Sequence, residues 1–310
     1  MSWIVVTIIS YFLLALVNFG DKFLIDKILP SSKVYAFLIS VLSGLALVLA
    51  PWLLEWCGWY WLLINLFVGA LLPWALYFLF EALKRGDASQ VTVLVGGTIP
   101  IFTVILSVLF LGSSFRLNEW LGMGLLLVGT FLIAVVPATK KLNQPCDNRQ
   151  KMLWLIIISA AIYAVFFIGT KYTYDYQNFW SAFIWSRLGA VGMALLFLVP
   201  KNSRREIMAG ITQRGNNKSK EVRRKDQIFV VGNQIVGAGG SVLQNYAISL
   251  GPIALINALQ GTQYAFLLLM GFLITVWRPR LLKENITPVA IVLKLAAILL
   301  ISLGLYFVTR

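Results

Sequence analysis

The chain has 310 residues, of which 59% are hydrophobic and only 12% charged, and its mean hydropathy is +0.83. A soluble globular chain carries about twice that share of charges. There is too little polar surface here to clothe a water-facing globule, so lipid is the solvent that fits. The 26 Lys and Arg against 12 Asp and Glu do not read as nucleic-acid affinity, because excess cationic side chains mark the cytoplasmic loops of membrane proteins. Histidine is absent, and the two cysteines, Cys57 and Cys146, fit neither a metal spacing nor a disulfide framework. No metal and no cofactor is expected.

Uncharged runs follow one another along the chain, each long enough for the roughly 20 apolar residues a spanning helix needs. They extend from Trp3 to Gly20, Val34 to Leu54, Trp56 to Phe80, Ala88 to Phe115, Trp120 to Thr139 and Met152 to Thr170. The first lacks a cationic start and a small-residue cleavage site, so it reads as a retained span. Tyr176 to Pro200 is interrupted only by Arg187. The unbroken run from Gln227 to Trp277 is too long for one span, and Gly251-Pro252 divides it, since proline opens a helix but cannot continue one. A last span covers about Thr287 to Thr309 and contains Lys294. None has the short alternation of a membrane barrel. The expected fold is an all-α integral membrane protein with ten transmembrane helices.

The loops are short except residues 201–226, dense in Lys and Arg with Gly, Asn and Ser, which reads as a solvated cytoplasmic loop. A lipid-headgroup or nucleic-acid site is the sharper alternative for it.

Gly20-Asp21-Lys22 through Asp26 recurs as Gly169-Thr170-Lys171 through Asp175, at the end of the first helix of each half. Ala82, Gly86 and Gly96 are matched later by Ala247, Gly251 and Gly261, at a larger spacing that the longer basic loop absorbs. A register shift confined to a loop is the mark of a duplicated unit. Residues 1–139 are then a first five-helix repeat, 140–151 a linker, and 152–310 a second repeat. Five is odd, so the second copy enters the membrane from the opposite side, the inverted-repeat plan of many transporters.

Ala88-Ser89-Gln90-Val91, leading through Pro100-Ile101-Phe102 to Leu109-Phe110-Leu111-Gly112, resembles the fourth helix of EamA-type proteins of the drug/metabolite transporter superfamily. Leu121-Gly122 with Leu127-Val128-Gly129 is similar to that family's fifth helix, and Ile162-Tyr163-Ala164, Lys171 and Arg187 to its sixth and seventh. The resemblance covers nearly the whole chain through degenerate motifs. It implies a secondary transporter, usually an exporter of metabolites, amino acids or drugs, and names no substrate. It also implies cytoplasmic termini, whereas Lys and Arg are concentrated in the odd-numbered loops and place those loops inside and both termini outside. The charge bias is the larger signal. It also puts Cys57 and Cys146 on opposite faces.

Ionisable groups within a span are functional candidates by default. Arg187 lies roughly 15 Å from either surface at ~1.5 Å rise per residue, beyond easy snorkelling. It is read as facing a central cavity and pairing with an anionic group on a solute or a neighbouring helix; the plainer reading is a buried arginine bonded to carbonyls. Lys294 sits near enough to a helix end to snorkel. Glu81, beside Lys84 and Arg85, is either a boundary ion pair or a gating or coupling carboxylate, and Lys22 and Lys171 are gating candidates because they recur. No acid lies deep in a span, which disfavours lipophilic cations and favours neutral, zwitterionic or anionic solutes.

Asn233, Gln234, Gln244, Asn245, Asn257, Gln260 and Gln263, with Tyr246 and Tyr264, make the eighth and ninth spans unusually polar. Amides in hydrocarbon need partners across helices or in a wet cavity. Asn257, Gln260, Gly261 and Tyr264 share one helical face; its counterpart in the first repeat runs through Thr92, Val95, Gly96 and Ile99, where Gly96, Gly97 and Pro100 either bend the fourth helix or permit close packing. Most tryptophans near the second loop read as interface anchors, with Trp74 and Trp185 open as cavity walls.

The sequence therefore points to a secondary transporter of a small polar organic solute, an amino acid or related metabolite, working by alternating access in the cytoplasmic membrane as a monomer or homodimer. A lipid or glycolipid flippase on the same scaffold is the alternative. A membrane-embedded enzyme would show paired acids or histidines on one face, and neither is present.

Overall fold

In the computed structural model, residues 2–28, 32–86, 88–135, 146–212, 220–277 and 288–309 are described, and among them every regular element is helical. In chain order these are α1 (Trp3–Ile28), α2 (Ser32–Ser43), which runs through a 3-10 turn (Gly44–Leu49) into α3 (Ala50–Leu53), α4 (Trp59–Leu83), α5 (Ala88–Leu111) and α6 (Leu117–Val135). Then follow α7 (Cys146–Tyr176), α8 (Phe179–Leu196), α9 (Lys201–Thr212), α10 (Lys220–Leu250), α11 (Ile253–Ala258), α12 (Gln260–Trp277) and α13 (Pro288–Thr309). Six segments are long and apolar enough to cross a bilayer: Ser32–Leu53, Trp59–Leu83, Val91–Leu111, Asn148–Tyr176, Phe179–Leu196 and Ile253–Gly271. Trp3–Asn18, Leu117–Ile133 and Leu295–Thr309 are shorter apolar helices.

Local sequence sets the boundaries. Gly58 precedes α4 with φ of 81° and Gly112 follows α5 with φ of 59°, left-handed backbone that a side chain resists. The Asn178 side chain accepts the Trp180 amide at 2.9 Å and caps α8. The chain breaks at Gly251 and Pro252, so the long uncharged run becomes α10 and then α11. Pro73 and Pro100 lie inside α4 and α5, which continue through them.

Helices pack across the chain rather than only along it. α1 lies on α10 and α12, α4 on α7 and α8, α5 on α6, α7 and α11, and α6 on α13. Close approach needs small residues, because lipid supplies no hydrophobic drive between helices. A Cβ at Gly69 would fall on the Ser186 carbonyl, and one at Gly189 on the Leu66 carbonyl, so α4 and α8 meet backbone to backbone. Gly122 and Gly304 do the same for α6 and α13. Buried hydroxyls tie other seams: Ser10 Oγ donates to the Gly240 carbonyl and Ser159 Oγ to the Ala75 carbonyl, both at 2.9 Å.

Candidate functional site

Two polar clusters lie within the bundle, and α10 touches both. The first is built around a tight turn between α11 and α12. Leu259 keeps helical dihedrals, but its amide is drawn toward the carbonyls of Leu255 and Asn257, and Thr262 closes back onto Leu259. The Ile256 carbonyl accepts the hydroxyl of Tyr11, from α1, at 2.9 Å. A side chain inserted into the helical ladder is an ordinary cause of such an interruption. Tyr264 reaches the other way and donates to the Thr92 carbonyl of α5 at 2.9 Å, while the Gln260 amide approaches the Tyr264 hydroxyl at 3.4 Å. Asn257 donates to Thr103 Oγ1 at 3.1 Å, and its own Oδ1 is buried without a partner. The side chain of Gln244, on α10, neighbours that of Tyr11.

Gly96 explains how Tyr264 gets so near α5, since a Cβ there would overlap the tyrosine hydroxyl. α5 runs unbroken through Gly96, Gly97 and Pro100, and the irregular backbone falls instead in α11 and α12. Asn257, on α11, and Tyr264, on α12, both bond to α5, whereas Gly261 lies against Thr130 of α6. The single face expected for Asn257, Gln260, Gly261 and Tyr264 is therefore divided by the turn at Leu259.

The second cluster surrounds Arg187, at the centre of α8 and only 6% exposed. One Nη donates to Ser241 Oγ at 3.2 Å, and the guanidinium carbon stands 4.8 Å from the centre of the Phe183 ring. The Asn245 amide donates to the Ser241 carbonyl at 2.8 Å, and its oxygen accepts the Tyr174 hydroxyl at 3.0 Å. Among the described residues no carboxylate pairs with Arg187. A guanidinium does not shed its proton, so a full positive charge sits in the bundle held by a hydroxyl and an aromatic face. Such a centre has spare capacity for an anionic oxygen.

The other candidates lie elsewhere. Trp185 faces the second loop, where its indole N–H and the Ser181 hydroxyl both donate to the Glu55 carbonyl, at 3.2 and 2.8 Å. Glu81 ends α4 in ion pairs with Lys84 at 3.1 Å and Arg85 at 2.7 Å. Lys171 pairs with Asp175 at 2.8 Å near the end of α7. Gln263 is buried, Gln234 is half-buried, and Asn233 donates to the Val17 carbonyl at 3.3 Å. Trp74 is partly exposed and stacks on Phe78. The side chains of Lys22, Lys294 and Cys146 lie outside the described residues, as do most of the linker and residues 213–219 of the basic loop.

Sequence reading passed over Tyr11, Thr103, Tyr174 and Ser241. Each is a lone hydroxyl in a run that reads as plain apolar helix or helix end, and only its partner on a distant helix reveals it.

With this geometry in view, the comparisons with known proteins can be placed. Residues 1–135 match the model of the EamA-like transporter family. That stretch, somewhat under half of the chain, is similar to the family, and the apolar helices are those of a multi-pass membrane protein. A solved chain described as "Crystal structure of protein" is 16% identical, with a TM-score of 0.64 over 99% of this chain and 95% of that one, which shows a shared fold. No curated protein matches.

Proposed function

We propose that this chain is an EamA-type secondary transporter that exports a small zwitterionic, neutral or anionic organic solute across the cytoplasmic membrane by alternating access. The observation that carries the reading is Arg187, buried in mid-helix with no carboxylate beside it among the described residues. A solute carboxylate entering between α8 and α10 would meet the guanidinium, with Ser241, Asn245 and Tyr174 adjacent. The first cluster, with Tyr11, Gln244, Asn257, Gln260 and Tyr264, supplies neutral donors and acceptors for the rest of the molecule, and the buried Gln263 of α12 is a further candidate.

The alternating mechanism rests on ten spans in two inverted repeats, residues 1–139 and 152–310. Helix pairing supports it. Exchanging the halves turns the contact of α1 with α10 into that of α7 with α4. It turns α1 on α12 into α7 on α5, and leaves α6 on α13 unchanged. The α4–α8 contact has no comparable α2–α10 counterpart among the described residues, so the pairing rule is shared in part. Halves related in this way can trade conformations about a shared site. The charge bias puts the odd-numbered loops, including 201–226, in the cytoplasm.

The test is solute-induced thermal stabilisation of the purified protein. Amino acids, organic acids, nucleosides, sugars and lipophilic cations would be compared on wild type and Arg187→Gln. Stabilisation by a zwitterion or anion, lost in the variant, is the expected outcome. Stabilisation by cations alone, unchanged in the variant, would overturn the choice of Arg187 and the charge class together.

A further inference from the structure

A cavity of about 240 Å³ opens where α5 ends, α7 ends and α11 begins. Its wall includes Phe110, Lys171, Tyr172, Asp175, Tyr176 and Pro252. At the ~30 Å³ that a water takes in the liquid, this is room for about eight waters or a molecule of similar size. All three helices also reach the buried clusters: α5 through Thr92 and Thr103, α7 through Tyr174, and α11 through Ile256 and Asn257. The cavity lies at the ends of these helices that border the even-numbered loops.

Its chemistry is two-signed. Lys171 and Asp175 pair at 2.8 Å one helical turn apart, but unequally, with the lysine side chain 15% exposed and the aspartate 41%. The carboxylate is turned toward the opening and the ammonium lies deeper. Tyr172 and Tyr176 stand 5.1 Å apart and both pack on Trp61, at 5.6 and 5.5 Å. The result is a braced aromatic wall beside a carboxylate, the surroundings that an ammonium group prefers. Phe110 and Pro252 supply an apolar side.

We propose that this cavity is a second, peripheral site for a small zwitterion. The solute carboxylate takes Lys171, its ammonium takes Asp175 and the tyrosine faces, and its apolar body lies against Phe110 and Pro252. An ion pair one turn apart and partly in water is held weakly, so a ligand carrying both charges replaces one contact by two. The site's role as an entry or exit station rests on the transporter reading above; its binding does not. A free amino acid and a phosphatidylethanolamine headgroup both carry an ammonium beside an anion, and the test separates them.

Binding of leucine would be measured on the full chain in lipid-free detergent, beside leucinamide, which lacks the carboxylate, and 4-methylpentanoate, which lacks the ammonium. Arg187→Gln is the background, so that only the peripheral site is read. Leucine is expected to bind about tenfold tighter than either fragment. Lys171→Gln is expected to erase the advantage over leucinamide, and Asp175→Asn the advantage over 4-methylpentanoate. Tyr176→Leu, at an exposed position, should weaken only the two ammonium compounds. A matching loss of native phosphatidylethanolamine from Asp175→Asn, read by mass spectrometry, with no leucine binding, would assign the same zwitterion site to lipid. Equal binding of all three compounds, unaltered by the three substitutions and without lipid retention, would overturn the proposal. Survival of this binding beside an Arg187→Gln variant with undiminished transport would overturn the central-site reading alone.

Discussion

Arg187 and Lys171 are both cations on helices of the second half, and they are held in opposite ways. Lys171 has an aspartate one turn away and water nearby. Arg187 has a serine hydroxyl, a phenylalanine face and no acid among the described residues. A charge at the mouth can be neutralised cheaply by a neighbour in its own helix. One in mid-span must be compensated by whatever the tertiary structure brings, and there the compensation is incomplete. The contrast distinguishes a centre built to await a partner from one that already has its own.

The largest expected effect follows from removing the uncompensated charge. Arg187→Gln should lower counterflow of the stabilising solute in proteoliposomes by tenfold to roughly a hundredfold, the worth of a charge-assisted hydrogen bond of about 1.5–3 kcal/mol. Lys171→Gln should leave more than half of that transport at saturating solute. Equal losses in the two variants would erase the distinction.

Next comes the packing that positions Arg187. Gly69→Val puts a branched side chain where the Ser186 carbonyl lies, one residue from the arginine. Overpacking of this kind costs about 1–3 kcal/mol or more, and the detergent melting temperature should fall accordingly. Gly124→Ala, where an added Cβ meets open space, should leave it unchanged.

Smaller again is Tyr264→Phe, which deprives the Thr92 carbonyl and Gln260 of a partner. A loss of about 1 kcal/mol is expected. Lys171→Gln should cost no more than about 0.5 kcal/mol of stability, and less at high salt, because partly exposed ion pairs contribute little.

Cys57 reports which side the mouth faces. In a Cys146→Ser background, a membrane-impermeant maleimide should label it in intact cells if the even-numbered loops are outside. Burial pushes the Cys57 thiol up, so the thiolate is scarce at neutral pH. Labelling should be slow at pH 7 and quicken about tenfold per unit toward the thiol's pKa. Labelling only after permeabilisation would reverse the assignment of faces.

Much of the arrangement is legible before any coordinates. The apolar runs mark where helices lie, because backbone groups in lipid must be satisfied within the segment itself. Even so, α1, α7 and α10 extend beyond them, and residues 201–212, read as loop, form α9. Proline marks the break at Pro252, and the mid-span placement of Arg187 follows from counting residues along an apolar stretch. The polarity of Asn257 and Tyr264 was readable from the sequence, but the turn at Leu259 that divides their helix, and their partners on α5, were not. Gly96 and Pro100 were open to two readings. Close approach to the Tyr264 hydroxyl accounts for Gly96, while the irregular backbone lies in α11 and α12.

The sequence by itself therefore determined that this chain lives in lipid, that it is helical, and which of its charges are expensive. These follow from composition and local order, where the cost of an exposed peptide or a buried cation is settled within a turn or two of helix. Only the tertiary structure decided which lone hydroxyls matter. Tyr11 meets Ile256, Tyr174 meets Asn245 and Ser241 meets Arg187 across helices far apart in the chain. Nothing in the spacing of a single hydroxyl says which distant backbone it will face. That is set by how the glycine-lined seams let the helices pack.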